Sequence, residues 1–185
     1  MGSIILVTGG ARSGKSRYAE QLASNIGKRV LYLATAIGFD DEMQDRIARH
    51  QQRRPPEWET WEGYHNLKAV FADPAKTYDA ILLDCVTLLV SNRLLETEAA
   101  EAPGDAATLE RLEQAIIADL GAFLDAVEQR QTTLIMVTNE VGWGIVPENR
   151  LARIFRDLAG RVNQYLATRA HRVYLLVCGQ VLPVK

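Results

Sequence analysis

Short, almost wholly apolar runs alternate along the chain with longer stretches in which apolar residues return every three to four positions. The apolar runs cover residues 4–8, 30–35, 80–84, 134–138 and 173–178, and their β-branched character predicts strands covered on both faces by helices. The longer patterns predict helices over 15–26, 41–52, 87–95, 108–129 and 150–169. Alternation of this kind predicts a three-layer α/β fold, a mainly parallel sheet with helices on both faces and right-handed crossovers. The stripe Leu109, Leu112, Ile116, Leu120, Phe123 and Leu124 is expected to pack in the core or at an interface.

Three stretches break the pattern. Residues 53–63 hold Pro55, Pro56 and two tryptophans, with a short edge strand expected around 58–62. Residues 96–105 are rich in Ala and Glu and contain Pro103 and Gly104, which predicts a surface loop. Residues 139–149 directly follow an expected strand, and in an open parallel sheet such loops at strand C-terminal ends are where ligands bind.

A length of 185 residues suits one domain spanning 1–185, with core enough to fold without disulfides. The formal charge of −2 argues against a dedicated nucleic-acid binder, which carries a basic excess. Cys85 and Cys178 sit in apolar runs and are expected to be buried free thiols in core strands, in keeping with a reducing compartment. The apolar runs fall short of the ~20 residues of a membrane helix, and the start Met1-Gly2-Ser3 shows no targeting pattern. The expected protein is soluble and cytoplasmic, with no membrane span.

The first apolar run leads into Gly9-Gly10-Ala11-Arg12-Ser13-Gly14-Lys15-Ser16, and a helical pattern follows at once. Strand, glycine turn and helix are the context of a P-loop, whose backbone N–H groups face phosphates. Lys15 is expected to reach the β- and γ-phosphates, and the Ser16 hydroxyl to ligate Mg²⁺. Asp84 ends an apolar run and has the form of a Walker-B carboxylate for the same ion, although a carboxylate there also caps a following helix.

In the expected helix 41–52, Glu42, Arg46, His50 and Arg54 follow an i, i+4 spacing. Arg46, Arg49, Arg53 and Arg54 around His50 would disfavour the imidazolium and keep the ring nucleophilic. Taken alone, the run reads more simply as a solvated amphipathic face that contains a histidine. His65 and His171 have no comparable setting and are expected to be structural.

Several stretches together resemble one family over nearly the whole chain. They are the phosphate loop through Arg17, Tyr32-Leu33-Ala34-Thr35-Ala36, Asp41-Glu42-Met43 with Arg46, Ile47 and His50, Trp58-Glu59-Thr60 with Glu62, and Leu83-Asp84-Cys85. Thr138-Asn139-Glu140-Val141-Gly142-Trp143-Gly144-Ile145-Val146-Pro147 and the run from Asn149 to Gln164 complete them. The pattern is similar to the bifunctional adenosylcobinamide kinase/adenosylcobinamide-phosphate guanylyltransferases of cobalamin biosynthesis. That resemblance implies phosphorylation of adenosylcobinamide by a nucleoside triphosphate, ATP or GTP. It then implies GMP transfer from GTP, through a guanylyl-histidine, to adenosylcobinamide phosphate.

By motif position the guanylylated residue is His50. The implied GTP contacts are Gly9, Gly10, Ala11, Arg12, Ser13, Gly14, Lys15, Ser16, Ala34, Thr35, Ala36, Gln51, Gln52, Arg53, Arg54, Glu62 and Asp84. A RecA-like P-loop core assembled as a homotrimer is implied with them. Asp41, Glu42 and Glu140 are candidate general bases for the kinase step, Glu140 equally a polar loop anchor, and Trp143 belongs to a corrinoid platform or a subunit contact. The principal alternative is a monofunctional P-loop small-molecule kinase with His50 as spectator. A RecA-like DNA-dependent ATPase would need a basic strand-tracking groove, which the charge does not favour.

Overall fold

The computed structural model describes residues 2–36, 54–97 and 106–185. The expected helix over 41–52, with His50, Gln51, Gln52 and Arg53, lies outside them, as does most of the expected loop over 96–105.

The strands in chain order are β1 (Ser3–Gly9), β2 (Val30–Ala34), β3 (Glu59–Glu62), β4 (Ala80–Asp84), β5 (Thr133–Val137), β6 (Arg172–Val177) and β7 (Gln180–Pro183). The helices are α1 (Lys15–Ile26), α2 (Val86–Leu95), α3 (Ala106–Glu128) and α4 (Arg150–Arg169), with a 3₁₀ turn at Leu67–Phe71. The strands form one sheet ordered β3-β2-β4-β5-β1-β6-β7. Every neighbouring pair is parallel except β6 and β7.

The period of two along each strand sorts its side chains onto two buried faces. Ile4, Leu6, Leu31, Leu33, Ile81, Leu83, Leu134 and Met136 pack with apolar residues of α2, α3 and α4. Ile5, Val7, Val30, Tyr32, Ala80, Leu82, Ile135 and Val137 pack with Ala19 and Ala23 of α1. This two-sided burial explains the unpunctuated apolar runs, and it bears out the three-layer α/β expectation. The stripe on α3 enters the core: Leu112, Ile116, Leu120, Phe123 and Leu124 are buried, while Leu109 packs partly buried against them.

Polar side chains fix the element ends. Asn149 caps α4 by accepting from the Ala152 N–H at 3.0 Å. Asp119 of α3 accepts from the Asn66 and Leu67 N–H groups at 2.9 and 3.3 Å, and from Arg93 of α2 at 3.2 Å. It thereby holds the 3₁₀ turn, which no spacing in the sequence announces. Asp79, just before β4, accepts from the Lys28 and Arg29 N–H groups and from the Arg29 guanidinium, tying the α1–β2 turn to β4.

One expectation is overturned and several are trimmed. Cys178 is exposed, not buried in a core strand. Strand β6 stops at Val177, and Cys178 and Gly179 take φ of 52° and 78° in a two-residue hairpin turn that returns the chain antiparallel as β7. Cys-Gly is not the Asn-Gly pair that flags such a turn, and Pro183 is tolerated because β7 is an edge strand. Cys85 is buried and free, as expected. The expected edge strand is β3, beside β2. No helix among the described residues is long and apolar enough to cross a membrane.

Phe123 is fully buried and stacks on Phe71 with ring centroids 5.9 Å apart. Phe123→Ala is expected to lower unfolding free energy by about 3–5 kcal/mol in urea titration, the range for deleting a core aromatic ring. A loss under about 1 kcal/mol would mean that α3 is not packed as described.

Arg29, through its guanidinium and then its backbone N–H, holds the Asp79 carboxyl below its ordinary range. A depressed folded-state value contributes stability above the unfolded value of about 3.9, lost as pH falls through the folded one. The stability gap between wild type and Asp79→Asn should therefore narrow steadily below about pH 4. Urea midpoints measured from pH 6 to pH 2 check this, and a constant gap would contradict it.

Candidate active site at the C-terminal edge of the sheet

Strand register places the chemistry-bearing residues. Val7 pairs with Val137, Val137 with Asp84, Asp84 with Ala34, and Ala34 with Glu62. These five residues form one transverse row near the C-terminal ends of β1, β5, β4, β2 and β3. At about 5 Å per strand, Asp84 lies about 10 Å along the row from β1 and Glu62 about 19 Å. Asp84 thus belongs with the phosphate loop, and Glu62 stands at the far end of the rim.

The loop between β1 and α1 is built by backbone geometry. Gly9 has φ 148°, Arg12 56° and Gly14 98°, Gly14 being the residue before the helix. The Ser13 N–H donates to the Gly10 carbonyl at 3.3 Å, and the Ser13 carbonyl accepts from Gly179 of the β6–β7 turn at 3.0 Å. A Cβ on Gly9 would lie 2.4 Å from the Leu176 carbonyl oxygen, so glycine is required by contact as well as torsion. Lys15 is buried, and its ammonium donates to the Gly10 carbonyl at 2.6 Å, which aims the charge back across the loop. The Ser13 hydroxyl is buried without a hydrogen-bond partner among the described residues. Such an orphaned group beside a turn of N–H donors suits an anionic guest.

Asp84 is held from β2. The Tyr32 hydroxyl donates to its Oδ2 at 2.8 Å, and burial together with the charge of Asp84 pushes the Tyr32 phenol well above its ordinary value. The phenol therefore stays a neutral donor and Asp84 the acceptor. The Arg54 guanidinium lies over the same ring, its central carbon 3.4 Å from the centroid. The Arg54 Nε is buried and donates to nothing among the described residues. Thr35 locks the ends of β2 and β4 together: its hydroxyl donates to the Cys85 carbonyl at 2.7 Å and accepts from the Cys85 N–H at 2.9 Å. Asn92 of α2 donates to the Thr35 carbonyl at 2.7 Å. The Asp84–Cys85 peptide is cis. Burial, and then the charge of Asp84, push the Cys85 thiol up to about 11, so it is no nucleophile at neutral pH.

Beyond β5 the chain is pinned from both sides. Thr138 donates to Asn163 of α4 at 2.7 Å, and Asn163 returns a bond to the Asn139 carbonyl at 3.1 Å. Asn139 also donates to Thr87 of α2 at 2.7 Å. Farther along this loop Trp143, Ile145 and Val146 are 71%, 96% and 58% exposed.

Of the residues read from the sequence, Gly9–Ser16, Ala34, Thr35, Ala36, Arg54 and Asp84 come together at this edge, and Glu62 lies along it. His65 and His171 each have a partner away from this edge. The ring of His171 accepts from the Ile4 N–H at 3.1 Å, and His65 pairs with Glu96 at 2.7 Å. Tyr32 stands in a stretch that carries the resemblance, but the sequence assigned it no role of its own. Its hydroxyl meets a carboxylate 52 residues away, and only the sheet brings the two together.

Gly9→Ala is expected to weaken nucleoside triphosphate binding by about tenfold or more, the effect of roughly 1–3 kcal/mol of backbone strain at the loop. Fluorescence titration checks it, and wild-type affinity in the variant would contradict the contact with Leu176.

Residues 5–184 match the family described as cobinamide kinase / cobinamide phosphate guanyltransferase. The chain is 46% identical over 182 residues to the bifunctional adenosylcobalamin biosynthesis protein CobU of Escherichia coli (strain K12), covering 98% of this chain and 99% of that one. It is 46% identical over 184 residues to the protein of the same name from Salmonella typhimurium (strain LT2), with 98% and 99% covered. The bifunctional adenosylcobalamin biosynthesis protein CobP of Pseudomonas aeruginosa is 38% identical over 180 residues, with 97% and 96% covered. The glycine loop and Asp84 thus sit in a full-length match, and the chain belongs to the cobinamide kinase / cobinamide phosphate guanyltransferase family.

Proposed function

We propose that this chain is a bifunctional transferase of cobalamin biosynthesis: it phosphorylates adenosylcobinamide with a nucleoside triphosphate, then transfers GMP from GTP to adenosylcobinamide phosphate. The reading is supported above all by the phosphate loop, which shares one sheet edge with Asp84 in a chain of this family.

In the first reaction Gly9–Ser16 grip the triphosphate through backbone N–H groups, and Lys15 offsets charge on the β- and γ-phosphates. The donor set suits Mg²⁺. Ser16 and Asp84 offer one hydroxyl and one carboxylate, hard oxygens of the kind that ion takes alongside phosphate and water, and no cluster of three metal-binding side chains exists among the described residues. When bound, the ion neutralises phosphate charge. Tyr32 keeps the Asp84 carboxylate oriented for it.

In the second reaction the nucleophile is His50. A neutral imidazole nitrogen attacks the α-phosphorus of GTP, the P–O bond to pyrophosphate breaks, and GMP remains on the ring. The phosphate of the corrinoid then displaces the histidine. His50 lies four positions before Arg54, and at ~3.5 Å per residue their Cα atoms cannot stand more than about 14 Å apart. Arg54, anchored on Tyr32 beside Asp84, thus tethers the nucleophile to this edge. Gln51, Gln52, Arg53 and Arg54 contact GTP in this reading. Ala34, Thr35, Ala36 and Glu62 lie along the rim, where an exposed carboxylate suits the N1–H and exocyclic amine of guanine. One catalytic domain spans 1–185, acting in the cytoplasm. Assembly as a homotrimer would cover Trp143, Ile145 and Val146, whose exposure is otherwise costly.

Incubation with GTP labelled at the α-phosphate, without corrinoid, is expected to leave acid-labile label on the protein. His50→Ala should abolish that label and keep phosphorylation of adenosylcobinamide. A wild-type protein that phosphorylates but never retains label is a monofunctional kinase.

A further inference from the structure

We infer that Glu140 is the general base of the phosphorylation step, receiving the proton of the acceptor's hydroxyl, and that it has no chemical part in guanylyl transfer. The inference rests on the proposed pair of reactions and adds a residue to one of them.

The chemistry asks for such a group only once. Three nucleophiles act in the two reactions: an alcohol, an imidazole and a phosphomonoester. The imidazole attacks through a nitrogen lone pair. The phosphomonoester, with a second ionisation near pH 6, is largely a dianion at neutral pH. The alcohol alone carries a proton that must leave as its oxygen bonds to phosphorus. In that step the O–H bond breaks toward a carboxylate oxygen and the new O–P bond forms. The bond from the γ-phosphorus to its bridging oxygen breaks, its electron pair leaving with the nucleoside diphosphate, and the protonated carboxyl later returns its proton to water.

The structure places a carboxylate for this purpose. Strand β5 lies between β1, which carries the phosphate loop, and β4, which carries Asp84. The chain leaving β5 therefore emerges between the two. The parallel ladder continues past the strand end: the Thr138 N–H donates to the Val7 carbonyl at 3.0 Å, and the Glu140 N–H to the Gly9 carbonyl at 3.1 Å. The Thr8 hydroxyl donates to Glu140 Oε1 at 3.0 Å. One carboxylate oxygen is thus fixed against the residue just before the loop, and Oε2 accepts no hydrogen bond among the described residues. Asn139, held by Thr87 and Asn163, stiffens the segment behind it. Glu140 is only half-buried, so a bulky acceptor can approach it.

The other carboxylates of this edge among the described residues are worse placed, and Asp41 and Glu42, the other candidates read from the sequence, lie outside those residues. Asp84 is engaged by Tyr32 and assigned to the ion, and Glu62 stands about 19 Å along the row from β1. A general base contributes typically 10²–10⁴-fold, and a loose phosphoryl-transfer transition state puts this one at about 10²-fold.

The test measures three rates in wild type, Glu140→Gln and Glu140→Asp of the full chain: phosphorylation of adenosylcobinamide, retention of label from α-labelled GTP, and GMP transfer to adenosylcobinamide phosphate supplied ready-made. Glutamine still accepts from Thr8, so the loop keeps its anchor. Glu140→Gln is expected to slow phosphorylation about 100-fold, chiefly in kcat, and to leave the other two rates within about twofold. Glu140→Asp should recover part of the phosphorylation. Unchanged phosphorylation in Glu140→Gln overturns the inference, and so does an equal fall in all three rates, which makes the residue an anchor of the loop. Failure of the wild type to phosphorylate adenosylcobinamide at all removes the kinase reading itself, and the inference with it.

Discussion

In-register parallel pairing across β1, β5, β4 and β2 is the constraint from which the site follows. Each strand contributes one residue to a row, and each row residue is the last or nearly the last before its chain turns away. Because the strands run the same way, their departing loops gather on one edge. A slip of one residue between β4 and its neighbours would carry Asp84 to the opposite face of the sheet, away from Tyr32 and the phosphate loop. The two-sided apolar packing resists that slip, since it would exchange the side chains that each face has room for and drive the Asp84 carboxylate into the opposite packed face. Core packing and site geometry are thus the same interaction seen from two distances.

Within that frame the polar network around Asp84 does two things. It satisfies a partly buried carboxylate, and it links segments distant in the chain. Tyr32 presents its hydroxyl to Asp84 and its ring face to Arg54, so one side chain ties the end of β4 to the stretch that carries the proposed nucleophile. Thr35 and Asn92 brace the backbone around it through buried hydrogen bonds. On the other side, Thr8 and Glu140 form a similar pair between β1 and the segment that follows β5. These bonds fix the side chains of the edge from within the fold, which suits chemistry that depends on positioning.

Much of this was legible from the residues in order. Helix α1 has the limits its periodicity predicts, because Gly14 permits the turn into it and the apolar stripe continues to Ile26. Helix α4 likewise begins where Asn149 offers a cap. Strand β4 ends at Asp84 as predicted, since a carboxylate cannot continue a run buried on both faces. The reading failed at Cys178. An apolar residue looked like one more core position, but backbone torsions at Cys178 and Gly179 turn the chain into β7. The 3₁₀ turn at Leu67–Phe71 was invisible for a related reason: its organising group, Asp119, lies on α3.

Order along the chain was enough to determine the alternation of strand and helix, the glycine turn between β1 and α1 and the carboxylate that ends β4. Those features are local, set by periodicity of apolar residues and by torsions that only glycine tolerates. Tertiary structure alone decided that β5 lies between the phosphate-loop strand and the Asp84 strand, that Tyr32 reaches Asp84, and that Glu140 stands against Gly9. Those depend on strand order and register, which arise from competition among many packings of similar runs, and no short window of sequence contains that information.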